Sequence, residues 1–264
     1  MCLIAIAWQA HRHLPLVIVA NRDEFYQRET LAMHYWPDQP GLLAGRDLQA
    51  GGTWLGVNQR GRFAAITNVR ETAPQNTSTS RGNLPGLWLN THVTSSELLK
   101  TLEQSASLYS GYNVLFGDQT QLIWASNRGP KGFEHRHLAS GIYGLGNASL
   151  NTPWPKLRLA KQRLAKQLQL DQPSLEDFSW VTADTCTQDD LSNFAPTDME
   201  ESWLRALSAQ WIKTPTYGTR AQTLITMNNQ RDLTCHERSI DASGNVSSER
   251  AFAFTVPGPP PRPD

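Results

Sequence analysis

The apolar residues of this chain arrive in short, closely spaced pairs of runs, and that pattern narrows the fold more than any other feature. Residues 3–8 and 14–20 are rich in Ile, Val and Ala, parted only by a polar break around His11-Arg12-His13. Residues 53–57 and 63–68 make a second pair with Gly61 in the turn, and 113–116 with 121–124 a third around Gly117-Asp118-Gln119. Runs this close read as antiparallel hairpins, because parallel neighbours need a crossover of about a dozen residues. Segments 223–227, 233–239 and 251–256 supply three more strands.

Helical patterns lie between the strand groups. Ser95-Ser96 opens one, and Pro155 opens another running to about residue 170 with Leu157, Ala160, Leu164 and Leu168 on one face. Residues 197–207 begin with a Thr-x-x-Glu capping box, Thr197 to Glu200. Hairpins with interposed helices, rather than alternating βαβ units, indicate an α+β fold of layers over antiparallel sheets. A chain of 264 residues buries roughly 70–75% of its extended surface and needs no covalent staples. No linker interrupts residues 1–256, which read as one domain, while the proline-rich 257–264 reads as a disordered tail.

Composition then removes several classes of function. Lys plus Arg and Asp plus Glu both number 24, and no stretch concentrates the cations, which argues against nucleic acid or anionic membrane as partner. Three cysteines, Cys2, Cys186 and Cys235, suit a reducing compartment rather than a disulfide framework. The first apolar run breaks at Gln9, too early for a secretory signal, and nothing approaches the ~20 apolar residues of a membrane helix. The expectation is a cytoplasmic protein without stable membrane insertion.

Familiar catalytic motifs are missing: there is no Gly-x-Ser-x-Gly elbow, His-Glu-x-x-His, Walker loop or Cys-x-x-Cys pair. Gly144-Leu145-Gly146-Asn147-Ala148-Ser149 approaches a dinucleotide fingerprint but lacks its third glycine, and Pro153 and Pro155 follow at once. The triplets 11–13 and 135–137, both His-Arg-His, would set two imidazoles on one face of a strand. Such triplets are more often exposed polar edges than metal or haem ligands, so no metal is assigned.

What remains is Cys2. Methionine is trimmed when the second residue is small, and removal would leave Cys2 with a free α-amine beside its thiol. That amine titrates near ~7.7–8.0 and can act as base for its own side chain. A buried structural cysteine is the plain alternative. The second apolar run ends in Asn21-Arg22-Asp23-Glu24. If 2–8 and 14–20 pair, these residues return beside Cys2, where a carboxylate can orient the amine and a guanidinium can favour thiolate. A solvated strand end is the plain reading here too.

Met-Cys-Leu-Ile at the start, Ala-Asn-Arg-Asp-Glu-Phe at 20–25, Leu43-Ala44-Gly45-Arg46-Asp47 and Gly51-Gly52-Thr53-Trp54-Leu55-Gly56 together resemble the NRDE family, whose eukaryotic members are called transport and Golgi organisation proteins. Thr67-Asn68-Val69-Arg70, Gly111-Tyr112-Asn113, 144–149, Thr152-Pro153-Trp154 and Tyr217-Gly218-Thr219-Arg220 extend the match to about residue 240. That family resembles the N-terminal-nucleophile (Ntn) hydrolases, nearest the bile-salt hydrolase and penicillin V acylase group. The resemblance implies a four-layer αββα sandwich, Cys2 as nucleophile and Asp23 as the residue orienting its amine. The group's arginine position is occupied by Ala20, and Arg22 is a new neighbour in the candidate catalytic set. Asn147 matches the oxyanion donor and Arg220 the late arginine. Asn21, Asn68, Trp54 and Asn113 are candidate substrate contacts, and Arg46-Asp47 reads as a surface ion pair rather than a pocket wall.

Two functions follow. One is an amidohydrolase cutting a linear amide or acyl thioester, with no cofactor. The other is a non-catalytic carrier of haem, acyl-CoA or lipid in the same pocket, with Cys2 as a thiolate ligand to haem iron. A vestigial site in a trafficking protein is a third, plainer possibility.

Overall fold

The computed structural model describes residues 2–71, 79–90, 92–189, 191 and 199–258. The first third of the chain is β1 (Cys2–Trp8), β2 (Leu16–Phe25), β3 (Thr30–Tyr35), β4 (Leu42–Asp47), β5 (Leu55–Asn58) and β6 (Phe63–Asn68). Helices α1 (Leu84–Leu89) and α2 (Ser95–Gln104) follow, then β7 (Tyr112–Gly117), β8 (Leu122–Gly129), β9 (Gly132–His137) and β10 (Gly141–Leu145). Next come α3 (Pro155–Gln167), α4 (Leu175–Ser179) and α5 (Glu201–Leu207), and the chain closes with β11 (Tyr217–Met227), β12 (Asp232–Ile240) and β13 (Val246–Thr255).

These strands form two antiparallel sheets, one ordered β10-β1-β2-β11-β12-β13 and the other running β3 to β9 in sequence order. Strand alternation divides the first sheet's side chains between two cores. Ile4, Ile6 and Trp8 of β1 share a cluster with Ile18 of β2 and with Phe63, Ala65 and Leu115 of the second sheet. Leu3, Ala5, Ala7, Val17 and Val19 point the other way, onto Trp154, Leu157, Ala160 and Leu164. Both faces of β1 and β2 are therefore buried, which is why their sequences are continuous apolar runs rather than alternating ones. Helices α3 and α4 cover the outer face of the first sheet, and α1 packs on β5, β6 and β7 of the second, with Trp88 against Phe116 at 5.1 Å. The architecture is the expected α+β sandwich with helix, sheet, sheet and helix in succession.

Several boundaries differ from the sequence reading. The second apolar run does not end at residue 20: β2 continues through Asn21, Arg22 and Asp23 to Phe25, because β1 and β11 flank it and pair with these polar residues. The cap of α2 is Thr94, in a capping box with Glu97, rather than the serines. Helix α3 stops at Gln167, and α5 starts at Glu201 without a side-chain cap, Thr197 lying outside the described residues. His11 and His13 occupy the β1–β2 connection, so only His135 and His137, on exposed β9, share a strand. Most of the proline-rich tail lies outside the described residues, but Pro257 accepts a 2.9 Å bond from Gln119.

Candidate active site

Cys2 opens β1 directly opposite Arg22 of β2, with Asp23 the next residue along. Cys2 as a residue is half-buried. Cys2, Arg22, Asp23, Trp54 and Asn68 line one cleft of about 710 Å³. The hairpin register therefore sets Cys2 and Arg22 on one face at this end of the sheet, with Asp23 next along on the other face and still lining the cleft.

Arg22 and Asp23 are each held by specific partners. Arg22 donates from Nη2 to Asp47 Oδ2 at 2.9 Å and from Nη1 to Thr30 Oγ1 at 3.2 Å, with its guanidinium 4.5 Å from the Trp54 ring centre. Trp54 fits because position 45 is glycine: a Cβ there would lie 2.2 Å from the indole. Asp23 Oδ1 accepts from Thr219 Oγ1 at 2.8 Å, and its backbone carbonyl accepts from the Tyr217 hydroxyl at 2.8 Å. Burial raises the Asp23 pKa, opposed first by the positive charge of Lys156, then by the Thr219 bond and Arg22. Burial likewise pushes the Cys2 thiol up, with Asp23 adding to the effect and Arg22 opposing it. Such a thiol is protonated at neutral pH and needs a base to become a nucleophile.

The cation beneath Asp23 escapes the sequence reading. Lys156, in the first turn of α3, is 2% exposed and donates to the Leu207 carbonyl at 2.7 Å. Burial lowers its pKa to about 8, with Asp23 and Cys2 opposing. A signal was present, since Lys156 lies four residues before Ala160 on the helix's apolar stripe, where a lysine must be buried.

The other candidates divide. Asn68 lines the cleft, and its carbonyl accepts from Asn147 Nδ2 at 3.0 Å, while Arg70 N–H donates to the Asn147 carbonyl at 2.8 Å. Asn147 thus follows β10 and clamps the exit of β6 from behind, itself 1% exposed and not lining the cleft. Asn21 shares a face with Asp23 but donates to the carbonyls of Thr182 and Gln210 on the helix side. Asn113 is buried between Thr67, Ala148 and Trp124. Arg220, the extra residue of a bulge in β11, donates to the carbonyls of Phe25 and Tyr26 and lines a separate cavity of about 170 Å³. A further cavity of about 320 Å³, lined by Leu224, Glu237 and Arg238 among others, contains no cysteine.

Arg46 and Asp47 do not form the surface pair expected of them. Arg46 pairs with Asp38, whereas Asp47 is buried in the cleft wall between Arg22 and Arg28. Gly51 turns with φ +76°, and Gly52 packs closely against Gly82 in the cleft wall.

Comparison with known proteins bears on the family and the fold. A family model for Transport and Golgi organisation 2 matches residues 1–242. The mouse and human Transport and Golgi organisation 2 homologues are each 30% identical over 257 residues, covering 91% of this chain and 92% of theirs. Among solved structures, a Caenorhabditis elegans N-acylethanolamine-hydrolyzing acid amidase ortholog aligns with a TM-score of 0.53 at 11% identity, over 85% of this chain and 92% of that one. A Cys2→Ala mutant of conjugated bile acid hydrolase from Clostridium perfringens aligns with a TM-score of 0.50 at 9% identity, over 97% and 98%. At such identities the likeness is one of fold, the Ntn-hydrolase sandwich. No helix among the described residues is long and apolar enough to cross a membrane. With its family match running from the candidate nucleophile through to β12, the chain belongs to the Transport and Golgi organisation 2 family.

Proposed function

We propose that this protein is an N-terminal-cysteine amidohydrolase that cleaves a linear amide or acyl thioester after loss of Met1. The observation that carries this reading is Cys2 at the head of β1, half-buried and lining a 710 Å³ cleft that Asp23 also lines. The α-amine of Cys2 takes the Sγ proton as sulfur adds to the substrate carbonyl carbon. That proton passes to the leaving nitrogen or sulfur as its bond to carbon breaks, leaving a thioester on Cys2. Water then adds with the same amine as base, and the acid departs as the thiol is restored. Asp23, held by Thr219, orients the amine. Asn68, an amide of the cleft lining whose backbone Asn147 fixes, donates to the oxyanion.

The test joins two measurements. Intact mass is expected to show a chain beginning at Cys2, and acyl amides and thioesters are expected to turn over with wild type but not with Cys2→Ser. A retained methionine, or turnover indifferent to the substitution, would overturn the reading.

One observation favours a second reading, binding without cutting. Ala20 lies in the core between the sheets where the hydrolase group carries an arginine, and Arg22 is already engaged by Asp47. A haem, acyl-CoA or lipid carrier fits that departure. For haem, a Soret band that is lost in Cys2→Ala would support it.

A further inference from the structure

Three guanidiniums, those of Arg22, Arg28 and Arg81, line the Cys2 cleft. The first two are compensated. Arg22 Nη2 and Arg28 Nε converge on the same oxygen, Asp47 Oδ2, at 2.9 and 2.6 Å, and both stand 3.9 Å from Glu24 Oε2. The other oxygen of Asp47 accepts from the backbone N–H groups of Gln49 and Ala50. Asp47 therefore has nothing left to offer a third arginine.

Arg81 is differently placed. Among the described residues it makes no ion pair, and its one hydrogen bond runs from Nη1 to the Gly111 carbonyl at 3.0 Å. It is nevertheless partly buried, so water compensates its charge incompletely. Burial disfavours its charged form, with Arg28 and Arg128 acting in the same sense and Glu71 and Glu24 opposing.

Its backbone is also fixed before any ligand arrives. Residues 81–83 form one turn of 3-10 helix, capped by the Ser80 hydroxyl accepting from Gly82 N–H. Thr53 N–H donates to the Gly82 carbonyl at 2.9 Å, and the two glycine backbones approach so closely that a Cβ on Gly52 would lie 2.4 Å from Gly82 C and O. A planar fork of donors on a fixed backbone, facing a cleft and lacking a carboxylate, matches the geometry of a bidentate oxyanion.

We infer that Arg81 anchors an anionic oxygen group, carboxylate or phosphate, on the molecule whose carbonyl is presented to Cys2. This rests on the Cys2 cleft being the active site, and it narrows the substrate to acyl amides or thioesters that carry such an anion. A wholly neutral lipid amide would leave Arg81 uncompensated as it displaced the water around it.

The experiment follows alkylation of Cys2 by neutral iodoacetamide, quantified on the Cys2 peptide at constant ionic strength. Glutarate and glycerol 3-phosphate are the anionic probes, and glutaramide and glycerol their neutral counterparts. At least one anionic probe is expected to slow alkylation about fivefold or more where its neutral counterpart does not, and Arg81→Gln to abolish that protection. Which anion protects decides between carboxylate and phosphate. Arg81→Lys, keeping the charge without the fork, is expected to retain partial protection and serves if the glutamine variant does not fold. Equal protection by the neutral probes, protection that survives Arg81→Gln, or none from either anion would overturn the inference. No turnover is required, so a failure of the hydrolase chemistry and a failure of this anchor are seen separately.

Discussion

A lysine buried within the field of the Asp23 carboxylate sets two pH dependences at once. Unfolded, Lys156 holds its proton to its ordinary value of 10.5, while folded it releases it near 8. Between those values the unfolded chain binds more protons, so stability rises with pH, by up to roughly 3 kcal/mol. Lys156→Met is expected to flatten that rise, as measured by urea denaturation at successive pH values. The same substitution removes the charge that best offsets the burial of Asp23. Asp23 must be ionised to hold the amine, so the acid limb of kcat/KM is expected to lie above the ordinary carboxylate range in wild type. It should move to still higher pH in Lys156→Met; an unmoved limb would show that Lys156 does not support Asp23. Asp23→Asn keeps the size of the side chain but not its charge, and is expected to lower kcat by about 10²-fold or more.

At the scale of elements, the site depends on β2 being a central strand. Its polar stretch alternates, so Arg22 faces the second sheet and meets Asp47 while Asn21 turns to the helix side and ties down the 182 and 210 segments. Two polar neighbours thus do opposite work because of the pleat alone. The β4–β5 connection and the 81–83 turn form a second positioning unit, closed by the contact of Gly52 with Gly82. Gly52→Ala is expected to cost about 1–3 kcal/mol by chemical denaturation, because backbone rather than a flexible side chain opposes the new methyl. Should the Arg81 anchor operate, the same substitution also weakens protection of Cys2 by the anionic probes.

At the scale of the molecule, the cleft exists because two sheets are held face to face. Trp8 and Phe63 reach across that interface with ring centres 6.4 Å apart, and Glu237 of β12 accepts a bond from the Met33 amide of β3 at 2.5 Å. Trp8→Ala is expected to cost about 3–5 kcal/mol, read as a lowered denaturation midpoint at constant slope. Burial raises the Glu237 pKa, opposed by its bonds to Met33 and Thr223 and by Arg250 and Arg22. In the acid range above its unfolded pKa the folded carboxyl therefore binds more proton than the unfolded one. Stability attributable to it falls as pH rises through that range, a slope that Glu237→Gln should remove.

Much of this was legible in the residues. The paired apolar runs 3–8 with 14–20, 53–57 with 63–68 and 113–116 with 121–124 are hairpins in the structure, because backbone pairing over short turns is local and leaves its period in the sequence. Cys2 and Asp23 come together for the same local reason. The packing of layers left no such trace. Strands β9 and β10 lack a long unbroken apolar run and β3 and β4 hold apolar runs of only three residues each, so all four are strands because neighbours pair with them. Which amide faces the cleft, whether Asp47 is a surface or a wall residue, and that Lys156 lies in the field of Asp23 were decided by contacts between residues far apart in the chain. Sequence by itself determined the three hairpins and the thiol at the head of the first; the meeting of the layers alone decided which distant side chains surround it, since charge and hydrogen bonding act through space and not along the chain.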